Sequence, residues 1–86
     1  VFGRVTGSVL SADVYVEEGA VVEDSVIMPH SVVKKGAVVR RAIVAENAVV
    51  GEDAVIGEET GDIAVVGSGT VVPKGHKLAA GKQMGK

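Results

Sequence analysis

Val5, Val22, Val39 and Ile56 recur at intervals of seventeen residues, all aliphatic. Leu10, Ile27 and Val44 keep the same interval. So do Val9, Val26 and Ile43, then Val16, Val33 and Val50, then Ala20, Ala37 and Ala54. A helical period of 3.6 does not return these residues to one face. Self-similarity at a fixed period marks a stacked repeat. Within one unit the aliphatic markers are Val16, Val22, Ile27 and Val33, in steps of six, five and six. That rhythm predicts three short extended sides and then a return to the start. The expected fold is all-β: three-sided coils of about 17 residues, stacked as parallel strands about 4.8 Å apart. The markers point inward, and burial of each contributes roughly 1.5–3 kcal/mol. A narrow interior filled by valine, isoleucine and alanine has no room for rings, and Phe2 and Tyr15 are the only aromatic residues.

The corners follow the same phase. Three residues after a marker stand Gly19, Gly36 and Asp53 on one edge, and Asp13, His30 and Asn47 on another; Gly69 and Gly75 continue the series. Gly, Asn, Asp and His are the residues that best tolerate positive φ, which a sharp corner demands. The phase of His30 therefore marks a corner; its alternative role is that of a catalytic base between coils. His76 follows Gly75 at a small, inward phase and is expected in packing or a cap. The "GSG" at Gly67–Gly69 reads as turn chemistry, since no basic residue or helix start accompanies it to hold phosphate.

Charge alternates between laps. Glu17 stacks under Lys34, Glu18 under Lys35, Glu23 under Arg40 and Asp24 under Arg41. Opposite signs one rung apart favour this register over a slipped one. Lys34, Lys35, Arg40 and Arg41 form the one basic cluster, read either as neutralised by the acids of the previous coil or as an effector or anion contact. Phe2, Tyr15 and Met28 are the large apolar residues expected to face outward as interface candidates.

The rhythm breaks after Ile56, predicting an irregular corner or loop over 57–65. It resumes at Val66, and 78–86 is expected as a tail or a cap over the open end. The chain does not begin with Met and its repeat is already in phase at Val5. Residues 1–86 are therefore expected to be one β-helix domain from the C-terminal part of a longer chain.

The net charge of −2 gives no electrostatic case for nucleic acid or an anionic membrane. No apolar run approaches the roughly 20 residues of a membrane helix. The lack of cysteine excludes disulfides and thiolate chemistry and fits a cytoplasmic location. Two histidines are fewer than a three-histidine metal site needs, so no metal is expected in this domain.

The aliphatic–x–x–x–small–aliphatic unit, best formed in "VGEDAVIG" (Val50–Gly57), resembles the hexapeptide repeat, whose proteins wind as left-handed parallel β-helices. A longer stretch, "GSVLSADVYVEEGAVVEDSVIMPHSVVKKGAVVRRAIV" (Gly7–Val44), resembles the C-terminal domain of bacterial glucose-1-phosphate adenylyltransferase, or ADP-glucose pyrophosphorylase. That resemblance implies a parent enzyme making ADP-glucose and pyrophosphate from ATP and glucose 1-phosphate for glycogen synthesis, with Mg2+ in an N-terminal catalytic domain. It implies that this domain carries no catalytic residue. It further implies packing on that catalytic domain, assembly into homo- or hetero-oligomers such as tetramers, and a share in a sugar-phosphate effector site. Glu46 falls where some members place an effector-binding arginine, which argues against that mode of activation. The alternatives are the β-helix of a hexapeptide-repeat acyltransferase or of another sugar nucleotidyltransferase, and a structural module with no enzymatic parent.

Overall fold

The structure, a computed structural model, describes residues 3–58 and 61–85. Fourteen short strands follow one another without a helix among the described residues. The first coil contains β1 (Arg4–Thr6), β2 (Val9–Leu10) and β3 (Tyr15–Val16). The second contains β4 (Val21–Glu23), β5 (Val26–Ile27) and β6 (Val32–Val33). The third contains β7 (Val38–Arg40), β8 (Ala42–Val44) and β9 (Val49–Val50). The fourth contains β10 (Val55–Ile56), β11 (Ala64–Val66) and β12 (Val71–Val72). A last partial coil holds β13 (Lys77–Leu78) and β14 (Gln83–Met84).

Every third strand stacks in parallel on its counterpart. Face A is β1-β4-β7-β10-β13, face B is β2-β5-β8-β11-β14 and face C is β3-β6-β9-β12. The register sets Val5 beside Val22, Val22 beside Val39 and Val39 beside Ile56, the seventeen-residue columns of the sequence. Val16, Val33 and Val50 align on face C, and Leu10, Ile27 and Val44 on face B. Val22, Val33, Val39, Val44, Val50 and Ile56 are fully enclosed. The core is thus a column of aliphatic side chains along the axis of a three-sided parallel β-solenoid of about five turns. The molecule measures 26 × 23 × 22 Å.

The corners explain the phased small residues. At the C-to-A corner Ala20 N donates to Glu17 O, Ala37 N to Lys34 O and Ala54 N to Gly51 O. Each closes a four-residue turn whose third residue needs positive φ. Gly19, Gly36, Asp53 and Gly75 supply it, with φ of 80°, 73°, 57° and 72°. The B-to-C corner does the same with Asp13, His30, Asn47 and Gly69. The A-to-B corner is tighter, a single left-handed residue between strands: Gly7, Asp24 and then Arg41 at φ 44°. A serine ladder supports it. Ser8 Oγ donates to Thr6 O and accepts from Ser25 N; Ser25 Oγ donates to Glu23 O and accepts from Ala42 N.

The ladder stops at Ala42, which has no hydroxyl for the rung above. There the fourth coil lengthens. The offset between rungs is seventeen at Val38↔Val55 and twenty-two at Val55↔Lys77, so five extra residues enter between β10 and β11. The irregular stretch expected over 57–65 is narrower at its far end, because Ala64 already lies beside Ala42 in β11. Residues of the expected tail are wound into the solenoid as far as they are described: Leu78 lies beside Ile56 and Met84 beside Val66.

Candidate functional site

With the markers turned inward, the surface of each face is the alternate set of strand residues. Face A presents Arg4, Val21, Val38, Val55 and Lys77, and on the neighbouring column Thr6, Glu23 and Arg40. It is the charged face. Face B presents Val9, Val26, Ile43, Val65 and Gln83, and face C presents Tyr15, Val32, Val49 and Val71. None of these outward strand residues on B or C is Asp, Glu, Lys, Arg or His. Val9, Val71 and Tyr15 are 61%, 64% and 66% exposed, and Val26, Met28 and Ile63 are also exposed. Sequence reasoning singled out Tyr15 and Met28 but passed over the valines. The signal was present: doublets such as Val32-Val33, Val49-Val50 and Val71-Val72 put one residue inside and its neighbour outside. Phe2 lies outside the described residues.

The basic cluster divides between two corners. Lys34 and Lys35 precede Gly36 at the C-to-A corner, whereas Arg40 and Arg41 flank the A-to-B corner, with β7 between them. The turn at Gly36 and the strand β7 lie between the two pairs, and the chain from Lys35 to Arg40 can span at most about 18 Å. Arg40 and Arg41 line a shallow cleft of about 280 Å³ with Thr6, Glu23 and Asp24. Arg40 Nε donates to Glu23 Oε1 at 2.9 Å, the charge pairing expected one rung apart. Lys35 lines a second cleft with Glu18, Glu52 and Asp53. Glu17 Oε1 accepts from the backbone N of Lys35 at 3.0 Å. Among the described residues no ion pair joins Glu17 to Lys34, Glu18 to Lys35 or Asp24 to Arg41.

His30 and Asp13 stack on the B-to-C corner, Nδ1 to Oδ2 at 3.7 Å, both largely exposed. His76 N closes the last C-to-A turn on Pro73 O, and His76 O accepts from Val55 N. Gly67 likewise closes a turn with Thr70. Among the described residues no cluster of three or more His, Cys, Asp or Glu could hold a metal ion. No helix among them is long and apolar enough to cross a membrane.

The family described as "GlmU-like, C-terminal hexapeptide" matches residues 2–72. The chain belongs to this hexapeptide-repeat family. Its left-handed parallel β-helix is the three-sided solenoid described above. The crystal structure of Entamoeba histolytica serine acetyltransferase 1 in complex with L-cysteine is similar, with a TM-score of 0.52 at 9% identity. The likeness covers 96% of this chain and 39% of that one, so this hexapeptide domain spans well under half of that enzyme's length. At such identity the likeness is one of fold. No curated protein sequence matches the chain.

Proposed function

We propose that this hexapeptide β-helix is the assembly and regulatory domain of a glucose-1-phosphate adenylyltransferase, working beside a Mg2+-dependent catalytic domain in a cytoplasmic oligomer. The observation that carries the assembly role is the division of the surface. Faces B and C are lined by uncharged, mostly aliphatic side chains, and face A holds the charges. A parallel sheet with apolar residues on both sides is ordinarily covered on both, and large exposed apolar areas mark contact surfaces. The choice of parent rests on the resemblance over Gly7–Val44. In this reading Tyr15 and Met28 contact the catalytic domain or a neighbouring subunit.

The regulatory part falls to the arginine corner. Arg40 and Arg41 share one cleft and can present two guanidinium groups to a sugar phosphate, while Lys34 and Lys35 stand too far away to share it. Glu23 and Asp24 line the same cleft and weaken its pull on an anion. That favours a weakly regulated enzyme or a modulatory subunit. The test is an assay of the parent chain with ATP and glucose 1-phosphate, alone and with a partner subunit. Pyrophosphate release that loses its sugar-phosphate response in Arg41→Gly is the expected result. No release in either arrangement refutes the reading.

A second reading, an acyltransferase-type module, has one observation in its favour. His30 sits on an exposed corner with its Nδ1 3.7 Å from Asp13 Oδ2. Acetyl transfer from acetyl-coenzyme A that is lost in His30→Asn would select it.

A further inference from the structure

The three faces differ in what borders them. Face A carries the charges of Arg4, Glu23, Arg40 and Lys77. Face B shares the A-to-B corner with it, where the extra residues of the fourth coil enter and Ile63 is exposed. Face C alone is flanked by two regular corners. Its outward column is Tyr15, Val32, Val49 and Val71, with no charge. Along the C-to-A corner the second residue of each four-residue turn is exposed. These residues alternate in sign: Glu18, Lys35, Glu52, Lys74. Along the B-to-C corner the left-handed residues are Asp13, His30, Asn47 and Gly69. Within one chain the alternation sets opposite signs on neighbouring rungs. Read upward the C-to-A edge runs acid–base–acid–base, and read downward base–acid–base–acid, so it is complementary to an inverted copy of itself.

We infer that face C is a self-association surface, covered by the same face of a second copy lying antiparallel to the first. The two-fold axis runs along the strand direction, between the second and third rungs. It sets Glu18 opposite the partner's Lys74 and Lys35 opposite the partner's Glu52, each pair twice. Tyr15 lies over the partner's Val71 and Val32 over the partner's Val49, so a large side chain meets a small one at each end. At the other rim Asp13 meets the partner's Gly69 and His30 the partner's Asn47, with no like charges opposed. The other two-fold, along the solenoid axis, sets each rung against itself with its corners exchanged. Glu18 then faces the partner's Asp13, Glu52 the partner's Glu46, and Tyr15 the partner's Tyr15. Like charges and a bulky pair at one end oppose that packing. Rim pairs contribute little affinity and chiefly choose the orientation. Four rungs about 4.8 Å apart and a side of about 15–18 Å give each copy roughly 300–350 Å² of flat face. That belongs to the class below about 1,200 Å² in total, which associates weakly. The register follows from the order of charges and not from where the face ends. This inference names the partner for the assembly role proposed above and rests on that role, not on the adenylyltransferase parent.

Sedimentation equilibrium of the 86-residue chain tests it, with melting curves confirming that each variant is folded. A monomer–dimer equilibrium with a dissociation constant of roughly 10–100 μM is expected. Glu18→Lys should weaken it about fivefold or more, and Lys74→Glu likewise, while the double variant should return to within about twofold of the unmodified chain. Within one chain each substitution sets like charges on neighbouring rungs, so a purely structural effect would add in the double variant instead of cancelling. Tyr15→Lys should leave a monomer. The chain has no cysteine, so cross-linking reads the orientation directly. Under mild oxidation a mixture of Glu18→Cys and Lys74→Cys chains should form the mixed disulfide faster than either variant forms its own. Tighter association of Glu18→Lys, additive losses in the double variant, a dimeric Tyr15→Lys or a preference for like-with-like cross-links each overturn the inference, and leave the assembly role to another face. A chain that stays monomeric up to about 1 mM, about ten times the weakest expected constant, overturns it too. The assembly role then falls to contact with the catalytic domain, and fails only when the parent enzyme is a monomer as well.

Discussion

Val32 and Val33 are adjacent, chemically identical and on the same strand, yet the fold predicts opposite sensitivities. Val33 is fully enclosed, stacked between Val16 and Val50 on the axis. Val33→Ala removes two methyl groups, worth about 0.8 kcal/mol each in transfer free energy. The rungs above and below are fixed by their backbone ladders and cannot close the gap. A residual cavity of roughly 50 Å³ then adds about 1 kcal/mol. The expected loss is about 2–3 kcal/mol. A domain of this size is stabilised by roughly 4–13 kcal/mol in total, so the midpoint of thermal unfolding should fall by roughly 10–20 °C. Val32 lies on the outside of face C beside Tyr15 and Val49. Val32→Ala should cost below about 1 kcal/mol, since water already reaches part of the side chain. Urea unfolding followed by far-UV circular dichroism measures both, with unchanged m-values showing that the same surface is being exposed. Equal losses, or a larger loss for Val32→Ala, would refute the assignment of inside and outside.

Other consequences can be measured on the same chain. Ser25→Ala leaves the buried Ala42 N–H without its acceptor and should destabilise by about 1–3 kcal/mol; Ser8→Ala, at the exposed end of the ladder, should cost less in the same urea titration. Arg41→Gly relieves a left-handed arginine and should leave thermal stability equal or higher, whereas Arg41→Val should lower it by about 1 kcal/mol or more. Gly51→Ala drives a Cβ into the Val72 carbonyl of the next rung; loss of cooperative melting is expected, and an unchanged melting curve would contradict the packing there. Glu23→Gln removes a half-exposed ion pair and should cost less than about 1 kcal/mol, with the difference shrinking in high salt.

The inner columns were legible because each rung repeats the last at a fixed interval and every inward position must be aliphatic. The eight phased corner residues were legible for a related reason: a four-residue turn needs positive φ at its third position, and few residue types accept it. The third corner escaped notice. Asp24 and Arg41 do not share a residue type there, and arginine is a poor signal for left-handed backbone. It is held by a serine ladder that shows in sequence only as "SVL" and "SVI". The basic cluster looked continuous because Lys35 and Arg40 are close along the chain, but the turn at Gly36 and the strand Val38–Arg40 carry the chain across a side of the triangle. The last rung was faint because "KLAAGKQM" has only Leu78 and Met84 as markers, and five inserted residues had already shifted the phase.

The central claim is that each lap returns to the same axis one strand spacing higher. Interproton contacts in solution test it most directly. Short Hα–Hα or amide–Hα contacts should link residues seventeen apart, Val22 to Val39 and Val33 to Val50, and residues twenty-two apart above the insertion, Val50 to Val72. Contacts at i to i+3, antiparallel pairings, or partners at any other constant offset would contradict the fold and everything argued from it.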